Sequence, residues 1–440
     1  MIRVGLVVNP VAGLGGRVGL QGSDGEAVQQ RARELGARPR AGTRARAALS
    51  ELAARGADVE LLAAPGVLGA RWAAGAGWPH RVVPVAPSSE TGSAECADSA
   101  VLRPGSPRLG VVPPARRAPG SGVGTRAPDA GHVHDAGRPG APRTTAADTV
   151  AAVRALRDAG VRLLLFAGGD GTARDVYDAL GGDTELTVLG IPTGVKMHSA
   201  VFSVNPRAAG EVAAVYGREE GGVPTRRAEV MDRDEAALRQ GRVTARLYGW
   251  LPVPFVPARL QQRKTGGTVL SPDAVGGIAR EVREAAQRLP GAGSRGPLLV
   301  LGPGTTTQAL AAALGAEVGP TGVSALVPGG GTAEVVARNA GGDALLDLVR
   351  AGRPALVALS PVGGQGFLLG RGNQQLGPEV IRAAGGAARV LVVCTESKLA
   401  ALGGRPLLVD SGDDALDAEL TGYRPVITGR GALTMYRVTI

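Results

Sequence analysis

Residues 163–176 read LLLFAGGDGTARDV, and this stretch decides the fold of the chain. It opens with Leu163 to Ala167, a continuous apolar run that is typical of a strand buried on both faces of a parallel sheet. The glycines that follow have no Cβ, so the backbone can approach an anionic ligand closely. Arg174 to Leu180 has a helical pattern, and free N–H groups at the start of that helix would face the anion. The stretch therefore predicts a strand, a phosphate-binding loop and a helix.

One carboxylate, Asp170, stands among these predicted N–H donors. Beside bound phosphates, an ionised carboxylate serves as a magnesium ligand or as a base toward a hydroxyl group. Nucleotide-dependent phosphoryl transfer is the chemistry that uses both roles. A glycine-rich turn that serves only packing is the alternative, and the complete five-residue string after a buried strand favours phosphate binding.

The pattern around this stretch predicts two domains. Before it, apolar runs at Val4–Val8, Asp58–Leu62 and Val82–Val85 alternate with helical segments, which predicts a parallel sheet with crossover helices. Further along the chain, predicted strands become more frequent, among them Leu186–Ile191, Val243–Val256 and Ala355–Leu359. We predict an α/β protein with a Rossmann-like nucleotide-binding domain at 1–205 and a mixed, β-rich carboxy-terminal substrate domain at 206–440.

The segment from about residue 92 to 143 interrupts the alternation. Residues 101–145 contain eight prolines and eight glycines, and no aromatic residue or isoleucine. Such a segment buries too little apolar area to offset an ordering entropy of about 1–2 kcal/mol per residue, so we predict a disordered surface insertion. Residues 101–145 carry a charge of +5, half of the net +10 of the chain, so the basic balance does not by itself indicate a nucleic-acid partner.

The composition sets further limits on the function. No run in the 440 residues approaches the ~18 apolar residues of a membrane span, and we see no signal peptide, so we expect a cytoplasmic protein without a membrane partner. Cys96 and Cys394 lie far apart, and the four histidines form no zinc pattern. We therefore expect no structural metal.

Several stretches resemble a known family. GGDGT is the hallmark of the NAD kinase and diacylglycerol kinase superfamily. VGLVVNPVAGLGGRVGLQGSDG (4–25), GIPTGVKMHSAVFSVNPRAAG (190–210) and SPVGGQGFLLGRGNQQLGPEVIR (360–382) narrow the resemblance to ATP-NAD kinase-like proteins, in the branch that includes the acetoin-catabolism protein X. The resemblance implies a kinase that uses ATP and magnesium and phosphorylates a ribose hydroxyl of NAD to give NADP.

Other strand ends supply the remaining candidate residues. Lys196 is one of only three lysines among 49 basic residues, which suggests a need for a compact ammonium near phosphate. His198, two residues later, is predicted to be a core histidine and not a catalyst. The candidates are Asp170 as the catalytic residue and magnesium ligand, Asn9, Gly168, Gly169, Gly171, Thr172, Thr193, Gly194 and Lys196 for nucleotide or phosphate, and Gly364, Gly366, Arg371 and Asn373 for substrate.

Two other functions remain open at this point. GGDGT is shared with kinases of other hydroxylated metabolites and of lipid head groups, although an aromatic content of 3% and the lack of an amphipathic membrane helix disfavour a lipid. A non-catalytic nucleotide-binding regulator linked to acetoin catabolism is the second, and the presence of Asp170 disfavours it. We expect a homo-oligomer that binds a small-molecule substrate. Residues 318–340 depart from the family pattern, with Asn339 nearest to the asparagine–glutamate pair that holds the nicotinamide riboside in NAD kinases.

Overall fold

The strand before the GGDGT string belongs to a five-stranded parallel sheet in the computed structural model of the chain. Its strands are β1 (Ile2–Val8), β2 (Val59–Ala63), β3 (His80–Val82), β4 (Leu163–Gly168) and β5 (Thr187–Pro192). The spatial order is β3-β2-β1-β4-β5, and every neighbouring pair is parallel. All residues of β4 and β5 are buried, as the apolar runs predict.

The structure describes residues 1–20, 26–85, 144–194, 197–218, 223–233, 245–256, 271–291, 296–362 and 365–440. The predicted insertion at 92–143 lies outside these residues, as do Lys196 and Gly364. None of the helices within the described residues is both long enough and apolar enough to cross a membrane.

Six helices of the described residues accompany the first sheet. They are α1 (Glu26–Glu34), α2 (Ala41–Ala54), α3 (Ala70–Gly75), α4 (Ala146–Asp158), α5 (Asp170–Leu180) and α6 (Pro206–Arg218), with a short 3₁₀ helix at Gly66–Leu68. A capping box fixes the start of α4, because the Thr145 hydroxyl accepts from the N–H of Asp148 while the Asp148 carboxylate accepts from the N–H of Thr145.

The helix after the GGDGT string begins earlier than predicted. We expected it to start at Arg174, but α5 starts at Asp170, with Gly169 as its N-cap residue. The low helix propensity of Gly171 favours a loop, yet a glycine in the first turn costs only about 1 kcal/mol relative to alanine. Asp170 and Thr172 are therefore helical residues. Most of the GGDGT string forms the first turn of α5, and not a separate loop.

A two-stranded antiparallel ribbon follows the first sheet. It consists of β6 (Thr225–Arg233) and β7 (Ala245–Pro254), and it packs on α5 and β5. The sequence predicted β7 but not β6. The apolar residues of this ribbon, among them Val230 in β6 and Val253 in β7, belong to the hydrophobic core of the first sheet.

The second sheet has nine strands and is mixed. The strands are β8 (Leu298–Leu301), β9 (Ser324–Val327), β10 (Glu334–Ala337), β11 (Ala355–Leu359), β12 (Phe367–Leu369), β13 (Val390–Val393), β14 (Leu407–Val409), β15 (Gly422–Gly429) and β16 (Ala432–Thr439). Their order is β10-β9-β8-β11-β13-β15-β16-β14-β12. Strands β8, β11, β13 and β15 are parallel neighbours, whereas β9 pairs antiparallel with both β10 and β8, and β15 with β16.

Helices also accompany the second sheet. They are α7 (Pro272–Gln287), α8 (Thr305–Ala313), α9 (Gly342–Arg350), α10 (Pro378–Ala384), α11 (Glu396–Ala400) and α12 (Asp414–Leu420), with a 3₁₀ helix at Gly386–Arg389. A parallel sheet followed by a mixed, strand-rich sheet confirms the predicted fold class.

Both sheets belong to one compact unit formed by Met1–Ala86 and Thr144–Ile440. We call β1–β7 with α1–α6 the first lobe, and α7–α12 with β8–β16 the second lobe. The loop after β1 connects them, because the carbonyl of Arg17 accepts from the N–H of Gly342 at 2.9 Å. The predicted domain boundary at residue 205 stays a prediction.

Candidate active site

The first sheet reverses its strand order between β1 and β4. From β1 the sheet extends through β2 to β3 on one side, and through β4 to β5 on the other. The carboxyl ends of strands at such a point leave a crevice in which ligands bind in open α/β sheets. Asn9 follows β1 at this edge, and its N–H donates to the carbonyl of Ala167 in β4 at 2.9 Å. Asn9 and the GGDGT string therefore share the ligand-binding edge.

The GGDGT string turns from β4 directly into α5. A Cβ built on Gly168 would lie 2.3 Å from the Cβ of Thr172, so only glycine lets the helix return this close to the strand. The Thr172 hydroxyl accepts a hydrogen bond from the Asn9 amide at 3.0 Å. This bond joins the end of β1 to the first turn of α5, whose N–H groups have no partner within the helix. The turn has the geometry of an anion site.

An alanine at position 168 tests this close approach. We expect Gly168→Ala to lower the free energy of unfolding by about 1–3 kcal/mol, because Thr172 and the first turn of α5 must move. Protection of the protein by ATP against denaturant should weaken as well. Gly276→Ala is the matched control, since a Cβ there meets no atom within 4 Å in helix α7. That control should gain about 0.5–1 kcal/mol, and equal effects of the two substitutions would contradict the prediction.

Asp170, at the start of α5, is buried and holds the segment that follows β5. One carboxylate oxygen accepts from the N–H of His198 at 2.8 Å, and the other from the N–H of Ser199 at 3.0 Å. The first oxygen also lies 3.3 Å from Nδ1 of His198. Burial raises the pKa of Asp170, but the hydrogen bonds from His198 and Ser199 lower it by more, so the pKa lies below its ordinary value. The carboxylate is therefore ionised at neutral pH.

These contacts do not fit the predicted magnesium role of Asp170. Both of its oxygens already accept N–H donors from one segment of chain. In the part of the chain that the structure describes, no group of three His, Cys, Asp or Glu residues is placed to hold a metal ion. Magnesium commonly keeps water ligands and binds through substrate phosphates. We therefore derive no protein-held magnesium site at Asp170.

The β6 strand fixes the segment that faces Asp170. The Ser199 hydroxyl accepts from the N–H of Met231 at 2.9 Å, and the N–H of Ala200 donates to the carbonyl of Glu229 at 2.8 Å. His198 is thereby held beside Asp170, with its side chain 12% exposed. The sequence predicted a core histidine at position 198. Its only signal in the sequence was its position two residues after Lys196, because β6 itself was not predicted.

Thr193 and Gly194 lie against the GGDGT string. The N–H of Thr193 donates to the carbonyl of Gly168 at 3.0 Å, and a Cβ on Gly194 would lie 3.6 Å from the Cα of Gly169. From the second lobe, the Gln374 amide donates to the carbonyl of Gly194 at 3.5 Å. The Thr193 hydroxyl and the Gln374 amide oxygen are buried with no partner among the described residues. Thr193 and Gly194 therefore meet the GGDGT string here, as predicted candidates for one site. The two buried oxygens without a hydrogen-bond partner lie beside them.

Arg371 reaches from the second lobe to the first. Its guanidinium donates to the carbonyls of Val204 at 2.8 Å and Ser203 at 3.3 Å, and it lies 4.3 Å from the ring centroid of Phe367. The side chain is buried, and Nε and Nη1 have no partner within the described chain. Burial lowers the pKa of Arg371 to about 9, while the charge of Asp410 acts in the opposite direction. Arg371 is still a cation at neutral pH.

The other predicted substrate residues have local partners. The Asn373 amide accepts from the N–H of Gly370 at 2.8 Å and donates to the carbonyl of Leu368 at 2.9 Å. Gly366 has a φ of +75°, which favours glycine at this turn. The conformation of the turns beside β12 therefore explains why asparagine stands at position 373 and glycine at position 366. Their role toward substrate stays a prediction.

Asn339 has a structural role in the second lobe. It adopts a left-handed conformation with a φ of +45°, and its amide donates to the carbonyl of Gly19 at 3.3 Å. Asparagine tolerates this conformation better than most residues. The residue thus fixes the loop after β1, and residues 318–340 place it there through the β9–β10 hairpin.

Comparisons with known proteins identify two models of one family in this chain. A model described as the ATP-NAD kinase N-terminal domain matches residues 119–220, and one described as the ATP-NAD kinase C-terminal domain matches residues 310–438. Together they cover more than half of the 440 residues, and they include both Asp170 and Arg371. No curated protein and no solved structure gave a match.

Proposed function

We propose that this chain, which belongs to the ATP-NAD kinase-like family, transfers the terminal phosphoryl group of ATP to a ribose hydroxyl of NAD and so produces NADP. Kinases of this family are phosphotransferases with an alcohol group as acceptor, and they depend on ATP and generally on a divalent metal. One observation supports the proposal most: the helix N-terminus of the GGDGT string places a buried, ionised Asp170 beside the strand-order reversal of the first sheet.

The proposed donor site is the first turn of α5. Its main-chain N–H groups would receive phosphate oxygens. Gly169 leaves room for them, since a Cβ there would meet only the Cα of Gly194 at 3.9 Å. Asn9 and Thr172 hold this turn against the end of β1 through their hydrogen bond. Lys196, outside the described residues, is proposed to add a cation beside the phosphates. Magnesium would enter as the complex with ATP and neutralise phosphate charge.

The proposed acceptor site lies where the second lobe meets the loop after β5. The two unpaired nitrogens of Arg371, the Thr193 hydroxyl and the Gln374 amide oxygen are buried polar groups that gain partners when a polar ligand binds. A dinucleotide has phosphates for an arginine and ribose hydroxyls for the two acceptors. Asp170 would orient the attacking hydroxyl or take its proton.

Two alternatives remain beside this proposal. The acceptor is another hydroxylated metabolite or a lipid head group, or the chain binds nucleotide without catalysis. Incubating the purified protein with magnesium and either ATP or polyphosphate, and with a panel of acceptors, tests all of them through the masses of the phosphorylated products. NADP formed from NAD supports the proposal, another product reassigns the acceptor, and no product with any acceptor refutes a kinase. A homo-oligomer in the cytoplasm is also proposed, and light scattering in solution tests the oligomeric state.

NAD should protect the protein thermally without ATP. A ligand that binds only the folded state stabilises it by about 2.7 kcal/mol at a hundredfold excess over Kd. We expect Arg371→Met, which retains the length of the side chain, to weaken protection by NAD more than protection by ATP. Differential scanning fluorimetry at several concentrations of each ligand measures both effects. Arg382→Met is the matched control, because Arg382 is exposed and paired with Asp413. Unchanged NAD protection in the Arg371 variant would remove Arg371 from the acceptor site.

A further inference from the structure

A second glycine-rich turn lies in the second lobe, where β8 leads into α8. The string GPGTTT (302–307) forms this turn, and Gly304 is the N-cap residue of the helix. A glycine has no side chain to accept from the first-turn N–H groups of α8, which have no partner within the helix itself. The turn is accessible from solvent, because Thr305 is exposed and Gly304 is half-buried. An anion can therefore approach this helix N-terminus.

A buried lysine points into the same turn. Nζ of Lys398, in α11, donates to the Thr306 hydroxyl at 3.2 Å and to the Ser360 hydroxyl at 2.9 Å. Lys398 is 8% exposed, and both hydroxyl residues are buried more deeply. These three residues follow β8, β11 and β13, which are adjacent parallel strands. Ligands of open α/β sheets bind outside the carboxyl ends of such strands.

The ammonium and the helix N-terminus carry charge of the same sign. Thr306 is the second residue of α8, so Nζ of Lys398 lies beside the positive end of the helix dipole. Removing an ammonium from water also costs free energy. The placement becomes favourable when an anion lies between the two positive groups, because both then gain a charge-assisted hydrogen bond. The lysine therefore indicates an anionic ligand independently of the helix N-terminus.

The residue types match a phosphate group in particular. The hydroxyls of Thr306 and Ser360 accept from Nζ, so their own O–H groups can donate to a further oxygen. Together with the N–H groups of α8, they would surround a tetrahedral anion with donors from several directions. Lysine supplies a compact ammonium, and the chain uses it at only three positions among 49 basic residues. A carboxylate, with two oxygens in one plane, would use fewer of these donors.

We propose that Lys398, Thr306, Ser360 and the first turn of α8 form a second phosphate-binding site, which goes beyond the proposed kinase function and does not depend on it. Its ligand is the phosphate group of a small phosphorylated metabolite, or inorganic phosphate. The site is distinct from the first turn of α5, since it belongs to the other lobe and the other sheet. The exposed Thr305 marks the side from which the remainder of a phosphate ester would extend.

The backbone amide signals of the lysines test this site directly. Because the chain has only three lysines, selective ¹⁵N-lysine labelling gives at most three signals, and Lys398→Arg identifies one of them. Titration with inorganic phosphate at constant ionic strength should shift the Lys398 signal until the site is saturated. A second titration with ribose 5-phosphate separates the two sources, since saturation at a lower concentration identifies an ester and equal saturation identifies phosphate alone. No shift with either compound would overturn the proposal.

Substitution of the lysine tests the role of its charge. Lys398→Met retains the length of the side chain and should raise the Kd for phosphate about tenfold or more, the usual effect of losing a charge-assisted hydrogen bond. Isothermal titration calorimetry measures this Kd. Arg338→Met is the matched control, because it removes an exposed cation from the same lobe and should bind phosphate as the wild type does. A wild-type Kd in Lys398→Met, with the variant folded as judged by its thermal unfolding, overturns the site.

A second variant keeps the test decisive if Lys398→Met does not fold. Ser360→Ala retains the ammonium and removes one hydroxyl, so half-saturation of the Lys398 signal should need about two- to tenfold more phosphate. An unchanged titration in Ser360→Ala would contradict the site. Gly168→Ala, which disturbs the first turn of α5, should leave the titration as it is in the wild type, and a lost shift would assign the phosphate to α5 instead. All of these measurements hold whether or not the protein phosphorylates an acceptor.

Discussion

Asp170→Asn should reduce the turnover of the enzyme by about 10²- to 10⁴-fold and leave ATP binding nearly intact. The carboxylate accepts N–H donors from His198 and Ser199 with both oxygens, whereas an asparagine offers one oxygen and an NH₂ group. That NH₂ group would face an N–H donor, so the segment at 198–199 must shift. The main-chain N–H groups that we propose to bind phosphate are unchanged. Single-turnover kinetics and thermal protection by ATP measure the two effects separately.

The same substitution elsewhere on α5 is the control. Asp178 accepts a hydrogen bond from the Tyr248 hydroxyl at 2.8 Å on the exposed side of the helix. Asp178→Asn should therefore keep the rate within a factor of about two, since surface substitutions rarely exceed 0.5 kcal/mol. A similar loss in both variants would indicate a general effect on α5. A near-normal rate in Asp170→Asn would remove Asp170 from the mechanism.

The buried strands were the most predictable elements of the fold. β11 has the predicted bounds, Ala355–Leu359. Five consecutive apolar residues with no polar residue among them are typical of a strand buried on both faces. β3 was predicted at Val82–Val85 but lies at His80–Val82. Pro84 has no N–H for the sheet, which excludes it from a strand that pairs in this register.

Strands without a continuous apolar run were missed. β15 contains a proline in its middle, Pro425, and has exposed residues in its first half, so it lacks the pattern of a buried strand. β9 and β10 have four residues each, too few to establish a period. Their position in the sheet depends on neighbours far away in the chain, and no local propensity encodes that.

The sequence predicted only those site residues that directly follow a predicted strand. The strand order placed Asn9 and the GGDGT string on one edge, and the structure adds the bond from Asn9 to Thr172 across 163 residues. The partner of Asp170 was not predictable, because His198 is positioned by β6. Lobe contacts such as that of Arg371 with the carbonyl of Val204 join residues separated by 167 positions. Such contacts depend on the packed fold and have no local signal.

Asp410→Ala should lower the free energy of unfolding by about 3–5 kcal/mol, the usual cost of removing one partner from a buried ion pair. Asp410 pairs with Arg44, and the two side chains are each 9% exposed. Arg44 also donates to the carbonyl of Pro192 at the end of β5, so the pair links the ligand-binding edge of the first lobe to β14 of the second.

Two further cations near Asp410, the half-buried Arg40 and the buried Arg371, make this loss larger than that of a single contact. Burial lowers the pKa of Arg40 to about 10, with the charge of Arg44 as the next cause, and the charge of Asp410 raises it. The same carboxylate acts on Arg371. Without the carboxylate, the guanidinium groups of Arg44, Arg371 and the half-buried Arg40 would lie near one another with no negative charge from Asp410. Desolvated charge without a partner is costly.

A matched pair of variants measures this effect by urea unfolding. Asp414→Ala breaks another ion pair between the lobes, with Arg207, but the Asp414 side chain is 81% exposed. Exposed pairs contribute about 0–1 kcal/mol, so this variant should unfold almost as the wild type does. If Asp410→Ala also unfolds within 1 kcal/mol of the wild type, the buried pair does not hold the lobes together. If it unfolds with two transitions, the lobes have lost the cooperativity that the pair provides.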